Sequence, residues 1–352
     1  MMKIVVAICI CLLLVSSAHE VESRSHPRRR PNKPLFVFGD SFVDAGNLPR
    51  IRRNVTSRGW YYPYGRSDDD HGNVATGRFS DGLVQSDLVA KILGLEGSPR
   101  PYRLQQNLDE TDRSGVNFAT ARSGVYEMFQ GVPTLGNQIS QFKSMIEDGM
   151  INDQYLKESV ALISVSDSRD YAFVPRDANA NNVASFIGSL TDEIADSVKQ
   201  VQELGVGKVL VNSAPPLGCA PWLSWSNNYS RCDSQINMYA NIHNTFLKQK
   251  IGESENVLLL DLYTTFSNIV EPNSGSTLSK QFKHKYTPCC DTSDPNDYCG
   301  QLDGRGHALY RLCDNPDKYF YWDYEHPTQA GWKAIMETLE ESIKDFLDIS
   351  SS

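Results

Sequence analysis

Two stretches near opposite ends of the chain carry residue types that together could move a proton and attack a carbonyl. The first, LFVFGDSFVDAGN, runs from Leu35 to Asn47 and places Ser41 in a sharp turn after an apolar run. The second, FYWDYEHPTQAGW, runs from Phe320 to Trp332 and holds Asp323 and His326 just ahead of Pro327. A hydroxyl is a poor nucleophile until a base takes its proton, and an imidazole base needs a carboxylate to fix its tautomer and stabilise its charged form. Asp323 and His326 lie three positions apart, so both side chains reach the same side of one turn, and Pro327 suits the first position of a following helix. An N-capping aspartate beside a solvated histidine would read the same way locally. The joint occurrence of strand-Gly-Asp-Ser early and Asp-x-x-His-Pro-Thr late favours catalysis. Gly39 lets the backbone bend tightly beside Asp40, and Asp44 and Asn47 are placed to fix the turn through side-chain to backbone hydrogen bonds.

Positioning such groups falls to the segments around them. Apolar runs suited to buried strands occur at Leu35–Phe38, Val160–Val165, Lys208–Asn212 and Val257–Leu260. Helical spacing separates them. Asp192–Leu204 aligns Ile194, Val198 and Val201; Ile236–Ile251 is a second amphipathic helix; Gln329–Leu347 turns Trp332, Ile335, Leu339, Ile343 and Phe346 inward. The alternation predicts an α/β fold with a parallel sheet between helix layers, and Ser41 falls where reactive groups gather in such sheets, beyond the carboxyl end of a strand.

The motifs resemble the GDSL esterase/lipase family of plants, a branch of the SGNH hydrolases. The resemblance covers nearly the whole chain after its first segment: GDSFVDAGN, GRFSDG at Gly77–Gly82, GVNFA at Gly115–Ala119, ELGVGKVLVNSAPPLGCAP at Glu203–Pro221 and CDNPDKYFYWDYEHPTQAGW at Cys313–Trp332. It implies a three-layer α/β/α, flavodoxin-like fold and a triad of Ser41, His326 and Asp323. The family's oxyanion hole adds a glycine N–H and an asparagine side chain to the N–H of the serine. Where relatives read like NFASGGAG this chain reads NFATARSG, with Arg122 at the glycine; where they read like IGSNDY it reads SDSRDY, with Asp167 at a glycine and Arg169 at the asparagine. Arg122 keeps its backbone N–H, useful if its φ is negative and its side chain points away from substrate. A guanidinium at 169 has donors too, but it is longer and charged. A misaimed donor costs about 100- to 1000-fold in turnover. Four readings follow: an esterase that uses Arg169, a slow esterase, a binding protein in which Asp167 and Asp170 pair the arginines, and an acyltransferase that passes the same acyl group to an alcohol.

The remainder sets the compartment. Residues 1–18 read as a secretory signal, with Lys3, an apolar run from Ile4 to Val15 and the small residues Ser16-Ser17-Ala18. Residues 19–33, with Arg28-Arg29-Arg30, form a basic tail expected to be disordered, and 34–349 a single domain. The formal net charge of the 352-residue chain is −9, which gives no case for nucleic acid. No later stretch suits a transmembrane helix. Two of eight cysteines leave with the signal. Cys219, Cys232, Cys289, Cys290, Cys299 and Cys313 remain and argue for disulfides, Cys219 with Cys232, and Cys289 and Cys290 with Cys299 and Cys313 in an open order. Zinc fits poorly, since there is no CxxC, and no metal or cofactor is expected. Asn54 and Asn228 head glycosylation sequons. The loop from Asn47 to Tyr102, with Arg50, Arg52, Arg53, Trp60, Tyr61, Tyr62 and Tyr64, lies near the site entrance in this family; its aromatics and arginines could bind a sugar or phenolic acyl group, but packing of a long loop explains them better. The expected substrate is a small-molecule, lipid or cell-wall ester met outside the cell, in the wall or apoplast; the oligomeric state is open.

Overall fold

The computed structural model describes residues 33–105, 113–165, 170, 179–271, 276–294 and 296–349. The expected signal, the basic tail up to residue 32, Asp167 and Arg169 lie outside the described residues.

Strands β1 (Leu35–Gly39), β2 (Gly115–Asn117), β3 (Val160–Ser164), β4 (Lys208–Asn212) and β5 (Val257–Leu260) form one parallel sheet in the order β2-β1-β3-β4-β5. Strands buried on both faces need apolar residues at every position, and β1 shows why its sequence does not alternate. Leu35 and Val37 pack on one side with Leu162, Leu210, Phe266, Trp332 and Ile335. Phe36 and Phe38 pack on the other with Ile139, Phe142, Ile194, Val198 and Leu247. Helices α1 (Gln85–Ile92), α5 (Leu262–Val270) and α6 (Gln329–Phe346) cover the first face. The second is covered by α2 (Leu135–Glu147), α3 (Ala180–Glu203) and α4 (Ser234–Ile251). The result is the three-layer α/β/α, flavodoxin-like arrangement, with strand order 2-1-3-4-5.

Two elements depart from the sequence reading. β2 was not anticipated as a strand, because three residues carry no periodicity; its place comes from pairing Leu35 with Gly115 and Phe36 with Val116. α3 begins twelve positions earlier than the pattern suggested, at Ala180 instead of Asp192. Asn179 caps it by accepting from the Asn182 N–H, and the asparagine-rich first turn hides the buried Val183, Ile187 and Leu190 behind it.

Outside the sheet, β6 (Cys290–Thr292) and β7 (Tyr310–Leu312) make a small antiparallel ribbon. It lies against the segment that leads into α6: the Cys289 N–H donates to Tyr321 O and the Cys290 N–H to Trp322 O.

Candidate active site

β1 ends at Gly39 with φ +134°, and a Cβ there would sit 1.8 Å from the Ser164 carbonyl oxygen. Only glycine permits that approach. The buried Gln138 of α2 brackets the Gly39 backbone, accepting from the Gly39 N–H at 2.7 Å and donating to Gly39 O at 3.0 Å. Beyond it the chain turns: the Asp44 N–H donates to Asp40 O at 3.0 Å, and the Phe42 N–H to the Asp40 carboxylate at 3.0 Å. Ser41 is presented on this turn.

Asp44 does more than fix its own turn. Its carboxylate accepts from Gly46 and Asn47 N–H, both at 2.6 Å, and from the distant Ala121 N–H at 2.7 Å. Burial pushes the Asp44 carboxyl above its usual range against the pull of these bonds. The Asn47 amide donates to Asn117 O and Ala119 O. The two residues expected to support the turn therefore also tie it to the segment that follows β2.

The second half arrives from the loop before α6. Thr328 caps that helix by accepting from the Gly331 N–H at 2.9 Å, and the Trp322 N–H donates to His326 O at 2.7 Å, which closes a tight loop around Asp323 to His326. One Asp323 oxygen accepts from the Glu325 and His326 N–H groups at 2.9 Å and stands 2.7 Å from His326 Nδ1. His326 Nε2 lies 2.8 Å from Ser41 Oγ. Hydroxyl, imidazole and carboxylate are thus in line and all buried.

Sequence reasoning missed what holds the other Asp323 oxygen. The Tyr64 hydroxyl donates to it at 2.7 Å and the Arg58 guanidinium at 3.2 Å, while Arg58 Nε donates to the Tyr64 oxygen at 2.8 Å. Arg58 also lies over the Phe79 ring, which packs 5.1 Å from the His326 ring. Burial alone would raise the Asp323 carboxyl, but His326, Arg58 and the hydrogen bonds outweigh it and hold the group well below the usual carboxylate range. Burial pushes the Tyr64 phenol well above its ordinary value, so it stays a proton donor. Tyr64 was read as loop packing and Arg58 not at all, because nothing in their spacing points to a residue respectively 259 and 265 positions away.

The condition set for Arg122 is not met. Its φ is +72°, in the left-handed region that disfavours a side chain. Bonds on either side impose that path: Thr120 N–H to Gly39 O, Ala121 N–H to Asp44 and Ser123 N–H to Thr120 O. The guanidinium donates to Thr56 Oγ1 at 2.6 Å and lies 3.6 Å from the Phe129 ring centre. Asp170 accepts from the Val125 and Tyr126 N–H groups, a main-chain role, where the binding-protein reading would have it pair an arginine.

Three disulfides join Cys219 to Cys232, Cys289 to Cys313 and Cys290 to Cys299, which resolves the open order. Asn228 is exposed in a left-handed turn. Asn54 is half-buried, and its oxygen accepts from Thr56 and Ser57 N–H. Among the described residues no helix is long and apolar enough to cross a membrane, and no group of three or more His, Cys, Asp or Glu is placed to hold a metal.

A flavodoxin-like sheet with Ser41, His326 and Asp323 linked at the carboxyl end of β1 defines a class, the α/β/α carboxylic ester hydrolases. The sequence pattern of the GDSL-like lipase/acylhydrolase family matches residues 35–339, and the chain belongs to that family. Among its relatives in Arabidopsis thaliana, GDSL esterase/lipase At5g03610 is 34% identical over 89% of this chain and 87% of its own length. GDSL esterase/lipase At3g09930 is 32% identical over 90% of each. A solved structure, an acetylxylan esterase from Geobacillus stearothermophilus, is 13% identical with a TM-score of 0.35 over 90% of this chain and 95% of that one, a likeness too distant to speak to substrate.

Proposed function

We propose that the protein is an exported serine esterase in which Ser41 is the nucleophile, His326 the general base and acid, and Asp323 the residue that orients and charges the imidazole. The observation that carries this reading is the unbroken path from Ser41 Oγ through the His326 ring to Asp323, 2.8 Å and 2.7 Å at its two joints. With Nδ1–H facing the carboxylate, Nε2 is the atom left to accept the Ser41 proton. The alkoxide attacks the ester carbonyl, the tetrahedral intermediate expels the alcohol with the proton from His326, and an acyl-enzyme remains. His326 then takes a proton from water, which releases the acid. The forming oxyanion is assigned the Ser41 N–H and the Arg169 side chain as donors, and Arg122, whose φ is positive, is left out. Export, a cleaved segment 1–18, a single catalytic domain 34–349 and glycans on Asn54 and Asn228 belong to the same reading; three disulfides support it, since they persist in oxidising compartments.

A fluorophosphonate serine probe and a short p-nitrophenyl ester test the assignment on the intact protein and on Ser41→Ala. Labelling and turnover are expected in the first and lost in the second; an intact, folded protein that takes no label overturns it. Arg169→Asn is expected to cost about 100-fold in kcat if the guanidinium is a working donor. A gain of that size would instead mark Arg169 as an impediment.

A further inference from the structure

A cavity of about 240 Å³ lies behind Asp323, bounded by the acid itself and Arg58 and walled by Trp222, Tyr298 and Tyr324. From it we infer a binding site for a neutral saccharide unit. The inference rests on the hydrolase reading only in taking that unit to be the alcohol part of the ester; the binding itself does not depend on it.

The walls are held before any ligand arrives. The Cys290–Cys299 bridge closes the loop that presents Asn296, Asp297 and Tyr298. The Trp222 N–H donates to Tyr324 O at 3.1 Å, fixing the tryptophan to the segment that carries Asp323. The Tyr324 hydroxyl is tied to Thr292 Oγ1 at 2.6 Å. A site whose walls are already ordered loses little entropy on binding.

The lining selects the ligand. Trp222 is 44% exposed, a large ring in water at the rim where a sugar's C–H face would stack. Asn296, Asp297 and Glu325 offer planar acceptors, and Asn296, whose amide also donates to Asp294 Oδ1 at 2.9 Å, a second N–H, in the pattern that vicinal hydroxyls satisfy. An anion is disfavoured, because the cavity has one cation against three carboxylates and that cation already bonds Asp323 at 3.2 Å and pairs Glu325 at 3.8 Å. The same pairing, with the Gln301 amide donating to Asp297 at 2.8 Å, leaves less uncompensated charge to hold a cation. Polar atoms set among mostly apolar walls suit the two kinds of surface on a sugar ring better than an acyl chain. A compact polyhydroxylated neutral ring meets all these conditions.

Titration calorimetry on Ser41→Ala, which cannot consume an ester, tests the site with cellotetraose, xylotetraose and mannotetraose, and with tetragalacturonate and choline as charged comparisons. At least one neutral tetrasaccharide is expected to bind in the millimolar range or tighter. Trp222→Ala in the same background should weaken it about tenfold or more with no change in unfolding midpoint, since the ring is at the surface. No neutral binding up to about 10 mM, indifference to Trp222→Ala, or tighter binding of either charged probe would overturn the proposal. Serine labelling of the unmutated protein is read separately, so saccharide binding without labelling would sink the hydrolase and leave the site standing.

Discussion

Around Asp323, two buried side chains from a loop far away in sequence complete what the histidine begins. Removing Arg58 takes the cation from a buried pair and leaves Asp323 and Tyr64 short of a partner, so Arg58→Met is expected to destabilise the protein by about 3–5 kcal/mol at pH 7, read by urea unfolding. The pH dependence has a definite sign. A carboxyl whose folded pKa is depressed contributes stability in full above its unfolded value, near ~4, and loses it as pH falls towards the folded value. The gap between the intact protein and Arg58→Met should therefore be widest above about pH 5 and narrow on acidification through that range; a gap that widens in acid contradicts the pairing. Tyr64→Phe removes one charge-assisted bond and should cost about 1.5–3 kcal/mol, with kcat reduced and KM little changed because Tyr64 acts through Asp323. The meeting of Ser41, Asp323 and His326 was legible because a hydroxyl, an imidazole and a carboxylate in such motifs announce themselves by residue type and local spacing. Arg58 was not, because its role exists only once residues 58 and 323 meet.

At the level of elements, the turn after β1 tolerates no side chain at its pivot. Gly39→Ala would set a methyl group 1.8 Å from Ser164 O at φ +134°, and β1 cannot move without breaking its register with β3. A loss above about 4 kcal/mol, or no soluble protein, is expected from expression and thermal unfolding. The sheet's long apolar strands were readable from sequence, whereas β2 was not, since three residues paired at an edge owe their conformation to the neighbour. The order of the disulfides was hidden for a related reason. Adjacent residues on an extended chain point to opposite sides, so Cys289 meets Cys313 just past β7 while Cys290 reaches Cys299 in its own loop. Both cysteines also donate main-chain bonds to residues 321 and 322, immediately before Asp323. Replacing Cys290 and Cys299 together by alanine should cost about 2–4 kcal/mol in urea unfolding, and kcat should fall with it because the ladder positions the acid.

For the molecule as a whole, the three bridges bear on where it can exist at all. A natural disulfide is worth about 2–4 kcal/mol, and a folded domain keeps a net margin of only about 5–15 kcal/mol, so losing all three approaches the whole of that margin. The glycine pivot offers no reserve, since its conformational entropy is a cost that packing must offset. The chain should then fold only where thiols are oxidised, which agrees with a leader at residues 1–18 that the sequence suggested by its own composition. Made with that leader in a secretory host, it should accumulate as soluble protein with no free thiol among the six remaining cysteines, an N-terminus near residue 19 by mass spectrometry, and a glycan at the exposed Asn228 removable by glycosidase. Made without the leader in a reducing cytosol, it should be largely insoluble, with those thiols open to alkylation. Equal soluble, active yield from the reducing compartment would show that the fold does not lean on its bridges, and the argument for export would lose its physical footing.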